Sequence, residues 1–320
     1  MSRRYNIHGI LSVESEIPLL PPSFRTEGET EVEADLTFRF EQDNAFENML
    51  RSTTEMMPGV FFNTEQNTLI SRWAPFGFNF FLAVCDFDKP SGTKILINKR
   101  FARFLRKIVR VPLSSLFPLE HFMKLMVGLA LFKKEAIMIL AAGFRLKEKN
   151  FLVTSFGGIG KTRLTLEAHK QYPAEFDYLS DDTCILNEGR VFGYPQLIRN
   201  RLGRSAFYSR ERYTTPDQVM GDSICDSFKP DQIVFLERGL VNDAFSLNRE
   251  TAMRRLNAIN KKTFPYGFER ISAALDYLYG YSGRLEEKTR EAFNQCLDIP
   301  AVTLRGHGKF YLNQIIQMAK

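Results

Sequence analysis

Close cysteine pairs, long apolar runs and internal repeats are all missing from this chain, and each absence closes off a class of protein. Cys85, Cys184, Cys225 and Cys296 are the four cysteines, and they stand far apart. Disulfide frameworks and zinc sites need tighter clustering, so a reducing, cytoplasmic setting is expected. The most apolar stretch, Leu125 to Phe144, is cut by Lys133, Lys134 and Glu135 into runs of under ten residues. A membrane-crossing helix needs about 20 apolar residues, so no membrane span is expected. Arg3 and Arg4 are followed by polar Asn6, His8 and Ser12 rather than an apolar segment, so no signal peptide is expected. Aromatic-basic motifs of RNA-binding modules are also missing, so nucleic acid is not an expected partner.

What is present is the composition of an ordinary globular protein. Of 320 residues, 44% are apolar and 25% charged, enough for one large or two modest domains with real cores. The 29 phenylalanines predict aromatic-rich cores. A net charge of +6 suits an anionic partner, which a nucleotide or phosphorylated substrate satisfies.

The first third reads as mostly β. Asp35–Glu41 alternates apolar and polar residues, and further strands are predicted over Asn6–Val13, Thr68–Trp73, Phe78–Val84 and Lys94–Asn98. A basic amphipathic run follows, with Phe101, Phe104, Leu105 and Ile108 at helical spacing among Lys99, Arg100, Arg103, Arg106, Lys107 and Arg110. Its plain reading is a surface helix whose apolar stripe packs inward. A second helix is predicted over Leu119–Leu131. The resulting division is a β-rich region over 1–115 and a nucleotide-binding domain over 116–320.

The second region carries the chemistry. Ala136–Phe144 and Phe151–Thr154 are β-like runs joined by only six residues, Arg145–Asn150. So short a connection makes an antiparallel hairpin, because a parallel crossover needs a dozen or more residues. The second arm leads into Ser155-Phe156-Gly157-Gly158-Ile159-Gly160-Lys161-Thr162, and an amphipathic helical run follows. Strand, glycine-rich loop and helix is the context of a phosphate-binding loop, although Ser155 stands where the pattern has glycine. Ser155, Gly157, Gly158, Ile159, Gly160, Lys161, Thr162 and Arg163 are therefore the expected nucleotide-binding set. The glycines let several N–H groups converge on one phosphate, and the helix adds its positive end. Lys161 would reach the terminal phosphates, and Thr162 would offer its hydroxyl to magnesium.

Asp181-Asp182 follows Lys161 by twenty residues at a predicted strand end. Adjacent strand residues face opposite ways, so one carboxylate can hold magnesium while the other faces an acceptor. Mutual repulsion raises one pKa, which suits a general base. Asp181 is assigned the base and Asp182 the metal. Glu237, leaving an apolar strand, reads either as a second magnesium-side acid or as an ordinary charged residue. Arg199, Arg201, Arg204, Arg210 and Arg212 read either as phosphate clamps or as a solvated loop. His169 is expected on the surface and His307 in a loop.

Loop and aspartate pair together resemble the HPr kinase/phosphorylase superfamily, whose catalytic fold is shared with phosphoenolpyruvate carboxykinase. In that family the loop reads Gly-x-Ser-Gly-x-Gly-Lys-Ser/Thr, and a later strand ends in Asp-Asp. The resemblance covers about residues 136–310. It implies an α/β fold, a mixed-sheet carboxykinase-like P-loop core preceded by the β-rich region. It further implies an ATP- and Mg2+-dependent kinase acting on a hydroxyl of a small molecule or a protein serine. Many relatives carry a histidine on the first hairpin arm; by alignment Leu140 stands there. The alternative is an ATP-binding sensor or assembly module that transfers nothing, and self-association into a homo-oligomer is left open.

Overall fold

Alternating apolar positions in the first hundred residues build an eight-stranded sheet. A computed structural model describes residues 2–16, 22–26, 33–73, 79–100, 119–194, 198–202, 210–263, 269–296 and 299–320. By packing, the chain divides into two units, one drawn mainly from Met1–Lys134 and Pro265–Arg284. The other comprises Glu135–Arg204, Ser209–Phe264 and Leu285–Lys320. The 115/116 division falls outside the described residues, as do Arg204 and residues 101–110 of the basic run. Both sheets are mixed, and the architecture is α/β.

In the first unit the strands are β1 (Arg3–Ile7), β2 (Leu11–Ser15), β3 (Leu36–Glu41), β4 (Thr54–Met57), β5 (Val60–Asn63), β6 (Thr68–Trp73), β7 (Phe80–Cys85) and β8 (Thr93–Asn98). Their order is β1-β2-β3-β8-β7-β6-β5-β4, with parallel pairing at β2–β3 and β3–β8. Helix α1 (Asp43–Leu50) lays Phe46 on Ile70, Phe81 and Ala83, and α2 (Leu119–Lys133) ends the unit's main segment. The single strand expected over Asn6–Val13 is in fact a hairpin. His8 and Gly9 take φ of 54° and 73°, and the Asn6 side chain accepts the Gly9 N–H at 2.7 Å. An Asn side chain that captures a nearby N–H is a turn former, and here it outweighs the apolar alternation.

The second unit is built on β9 (Ile137–Leu146) and β10 (Lys149–Thr154), the predicted hairpin, closed by the two-residue turn Lys147-Glu148. Further strands are β11 (Phe176–Ser180), β12 (Thr183–Asn187), β13 (Arg190–Gly193), β14 (Ile198–Leu202), β15 (Arg210–Thr214), β16 (Ser227–Phe228), β17 (Gln232–Arg238), β18 (Asp243–Leu247) and β19 (Ala301–Gly306). The main sheet runs β16-β13-β12-β9-β10-β17-β19-β18, with β11 also on β9. Only β10–β17 and β17–β19 pair in parallel. Strands β14 and β15 form a separate two-stranded ribbon that carries Arg199, Arg201, Arg210 and Arg212.

Helix α3 (Lys161–Gln171) and the C-terminal helix Gly308–Met318 pack on one core. Leu164, Ala168, Tyr311, Leu312 and Ile315 meet Phe144, Phe151, Val153, Val234 and Leu236 there. Phe144 sits between Phe151 and Phe176, with ring centroids 5.7 and 5.5 Å away. Burying each such ring stabilises the fold by up to about 3 kcal/mol. This core fixes the start of α3 against the end of β10, and so fixes the loop between them.

Candidate functional site: a glycine loop beside a buried aspartate

Strand β10 ends at Thr154, α3 begins at Lys161, and the six residues between them form the loop. Gly158 and Gly160 take φ of 79° and 118°, values that side chains with a Cβ rarely adopt. A Cβ added at Gly157, Gly158 or Gly160 would meet nothing within 4 Å, so open space lies over the loop. Gly160 caps the helix, and its carbonyl accepts the Leu164 N–H at 2.9 Å. The first-turn N–H groups of α3 lack intrahelical partners and give this end positive character. Ile159 anchors the loop by packing partly buried against the core.

Lys161 is 5% exposed and Ser155 1%. The Lys161 ammonium donates to the Ser155 carbonyl at 3.2 Å and to the Ser155 hydroxyl at 3.3 Å. The serine that replaces the expected glycine thus shares in holding the lysine. Arg163 turns away: its guanidinium pairs with Glu167 one helical turn on, at 2.7 Å.

The aspartate pair reaches the loop through sheet register. Strands β11 and β12 both run antiparallel to β9 along the same edge, pairing Ser180 with Gly143 and Thr183 with Leu140. Asp181 and Asp182 occupy the bend between them, and Ala141 and Ala142 of β9 lie between those two pairings. Those alanines pair on their other side with Val153 and Thr154, the last residues before the loop. Across the bend, the Ser180 hydroxyl donates to the carbonyls of Thr183 and Tyr194 at 2.6 and 3.3 Å.

The two carboxylates differ in setting. Asp181 is 6% exposed, whereas Asp182 is half-buried. Burial pushes the Asp181 carboxyl above its ordinary pKa, and the neighbouring Asp182 adds to the rise. The Thr162 and Tyr178 hydroxyls act the other way. Tyr178, itself fully buried, donates to Asp181 Oδ1 at 3.0 Å. Asp181, the residue assigned the base from sequence, is therefore the more buried of the two. As donors, a threonine hydroxyl and carboxylates in this setting suit a hard cation such as magnesium, which takes its remaining ligands from water and phosphate.

The remaining expected residues make other contacts. Glu237 is engaged by Arg255 and by Arg305, whose Nε and Nη2 lie 3.2 and 3.1 Å from Oε2. A carboxylate held by two guanidiniums is a structural tie. His169 is half-buried and packs on Phe176 at 5.5 Å, so it is not the surface residue expected. Exposed His307 precedes the C-terminal helix as its N-cap residue. Leu140 is buried in β9, where its carbonyl accepts the Thr154 hydroxyl at 2.9 Å. Two residues near the loop were not singled out from sequence: Tyr178, and Arg238, whose Nη2 donates to the Gly158 carbonyl at 2.7 Å. Strand parity would have placed Arg238 on the face of α3, since Val234 and Leu236 of the same strand line that core.

Among the described residues, no helix is long and apolar enough to cross a membrane. No family model matches the chain, and no curated protein does. Among solved structures, the Hpr(Ser) kinase/phosphatase from Coxiella burnetii is similar over 57% of this chain and 87% of that one. The identity is 12% and the TM-score 0.30, a distant likeness, so the chemistry of the site stands on its own geometry.

Proposed function

We propose that the loop Ser155–Thr162 binds the phosphates of ATP and that the site transfers the terminal phosphoryl group to a hydroxyl acceptor. One observation carries the reading: a buried lysine at the head of α3 adjoins an open, positive-φ glycine loop. Phosphoryl transfer asks a protein chiefly for positioning and charge neutralisation, and this arrangement offers both.

Backbone N–H groups of Gly158, Gly160 and Lys161 orient the phosphates, and the Lys161 ammonium neutralises their oxygens. Magnesium, when bound, would neutralise charge on the phosphates and hold them in line. Thr162 and buried Asp181 would hold it, since the Thr162 hydroxyl is among the groups that favour the charged form of Asp181. That leaves half-buried Asp182 to accept the acceptor's proton, the reverse of the assignment made from sequence. The loop and aspartate pattern supports grouping the chain with HPr-kinase-like proteins. ATP over GTP, the acceptor, self-association and a cytoplasmic setting belong to the same proposal.

A second reading follows from Leu140: with an apolar residue where many such kinases carry histidine, the chain would bind ATP as a sensor without transferring phosphate. Calorimetry with ATP and magnesium, beside a labelled γ-phosphate transfer assay on cell extract, separates the two. Lys161→Ala should weaken binding by about 100-fold or more. Tight ATP binding by that variant would sink both readings, whereas binding without labelled product leaves the sensor.

A further inference from the structure

Strand β17 outruns its neighbour. It pairs in parallel with β10 up to the row Thr154–Phe235 and then continues through Leu236, Glu237 and Arg238. Three residues at about 3.3 Å each carry it roughly 10 Å further, alongside the loop. Both strands point their carboxyl ends to this side of the sheet, the side where open α/β sheets bind ligands. Arg238 is thereby delivered to the phosphate loop from a different strand.

Alternation along β17 sorts its last two charges. Glu237 faces Arg255 and Arg305 and is consumed there. Arg238 faces the loop, is exposed, and spends one donor on the Gly158 carbonyl. No carboxylate lies within ion-pairing distance of it among the described residues. A guanidinium has five N–H donors in a fixed fork, so most of its capacity is uncommitted to this bond.

Its base is held firmly. Backbone pairing joins Arg238 to Gly306 of β19, and the Tyr311 hydroxyl donates to the Glu237 and Gly306 carbonyls at 2.7 and 2.6 Å. The chain then turns at Gly239, where a Cβ would come within 2.5 Å of Arg305. A rigid base with an exposed charged tip is what recognition of a small anion requires.

We propose that Arg238 reads the terminal phosphate of the bound nucleotide and so distinguishes the triphosphate from the diphosphate. The assignment rests on the loop being a nucleotide cradle. Lys161 and the loop amides serve the phosphates that both nucleotides share. Arg238, approaching from β17, adds a bidentate contact to the phosphate that only the triphosphate has.

The test is calorimetric titration with ATP and with ADP, each with magnesium, of the unaltered protein and of Arg238→Gln and Arg238→Lys. Glutamine keeps a donor for the Gly158 carbonyl but removes the charge. In Arg238→Gln, ATP affinity should fall by about tenfold or more while ADP affinity stays within about threefold. Arg238→Lys, with charge but no fork, should fall between. Equal weakening of both nucleotides would make Arg238 a mere brace of the loop and overturn the proposal, as would no change in either. If the unaltered protein bound neither nucleotide, the cradle itself would fall, and this assignment with it.

Discussion

The Lys161 ammonium lies 3.2 Å from the carbonyl oxygen and 3.3 Å from the hydroxyl of Ser155, and all three groups are shielded from water. A phosphate bound as proposed would have to draw the lysine away from these acceptors. Part of the lysine's attraction for phosphate would thus be spent on displacing a hydroxyl that glycine would not supply.

Ser155→Gly removes the hydroxyl acceptor and leaves the carbonyl. With a charged hydrogen bond worth roughly 1.5–3 kcal/mol and partly replaced by the carbonyl, ATP binding should tighten by about fivefold. Calorimetry checks this. Unchanged or weaker binding would mean that Ser155 places the lysine rather than restrains it.

Asp181 carries a cost to stability at neutral pH. Its folded pKa lies above the unfolded 3.8, chiefly through burial and next through Asp182. A carboxyl of this kind holds its proton more tightly when folded, so stability is lost as pH rises from 3.8 through the folded value. Asp181→Asn removes that cost. It should raise the melting temperature at neutral pH by about 2–4 °C, with the gain shrinking towards about pH 3, where aspartate is protonated in both states. Phosphoryl transfer should be lost in the same variant. Thermal melts across pH read the first effect, and a drop in Tm at neutral pH would contradict it.

Glu237→Ala should act on the fold alone. It strands Arg255 and Arg305, which also lie over the Phe245 ring with their guanidinium carbons 5.9 and 5.3 Å from its centroid. The three charges remain partly solvated, so the expected loss is about 1–2 kcal/mol in denaturant titration. Nucleotide affinity should stay within about twofold. A loss of magnesium-dependent binding would restore Glu237 to the site.

The loop, the hairpin before it and the aspartate pair were all legible in the sequence, because glycines, a short connection and paired charges are local signals. The strands of the second unit were largely legible too: Ala136–Phe144 foretold Ile137–Leu146, and the helix from Lys161 ends at Gln171, beside the expected Tyr172-Pro173 stop. Less visible was what depends on pairing at a distance. That β11 and β12 form one interrupted line along β9 follows from the register of residues far apart in sequence, from Phe176 on Leu146 to Leu186 on Ile137. Helix α1, β18 and the β14–β15 ribbon were missed because they are short. Arg238 was given no role because its meaning lies in how far β17 outruns β10.

One consequence concerns which changes of chain length the site can survive. Thr154 pairs with Ala141 on one side of β9 and Thr183 with Leu140 on the other, so β9 measures out the distance between the two halves of the site. Residues added at the Lys147-Glu148 turn lie beyond the paired rows and leave that spacing intact. A single residue added within Ala141–Leu146 would slide one half past the other and turn alternate side chains to the wrong face. Descendants of this chain are free to lengthen the hairpin's tip, but not its arms.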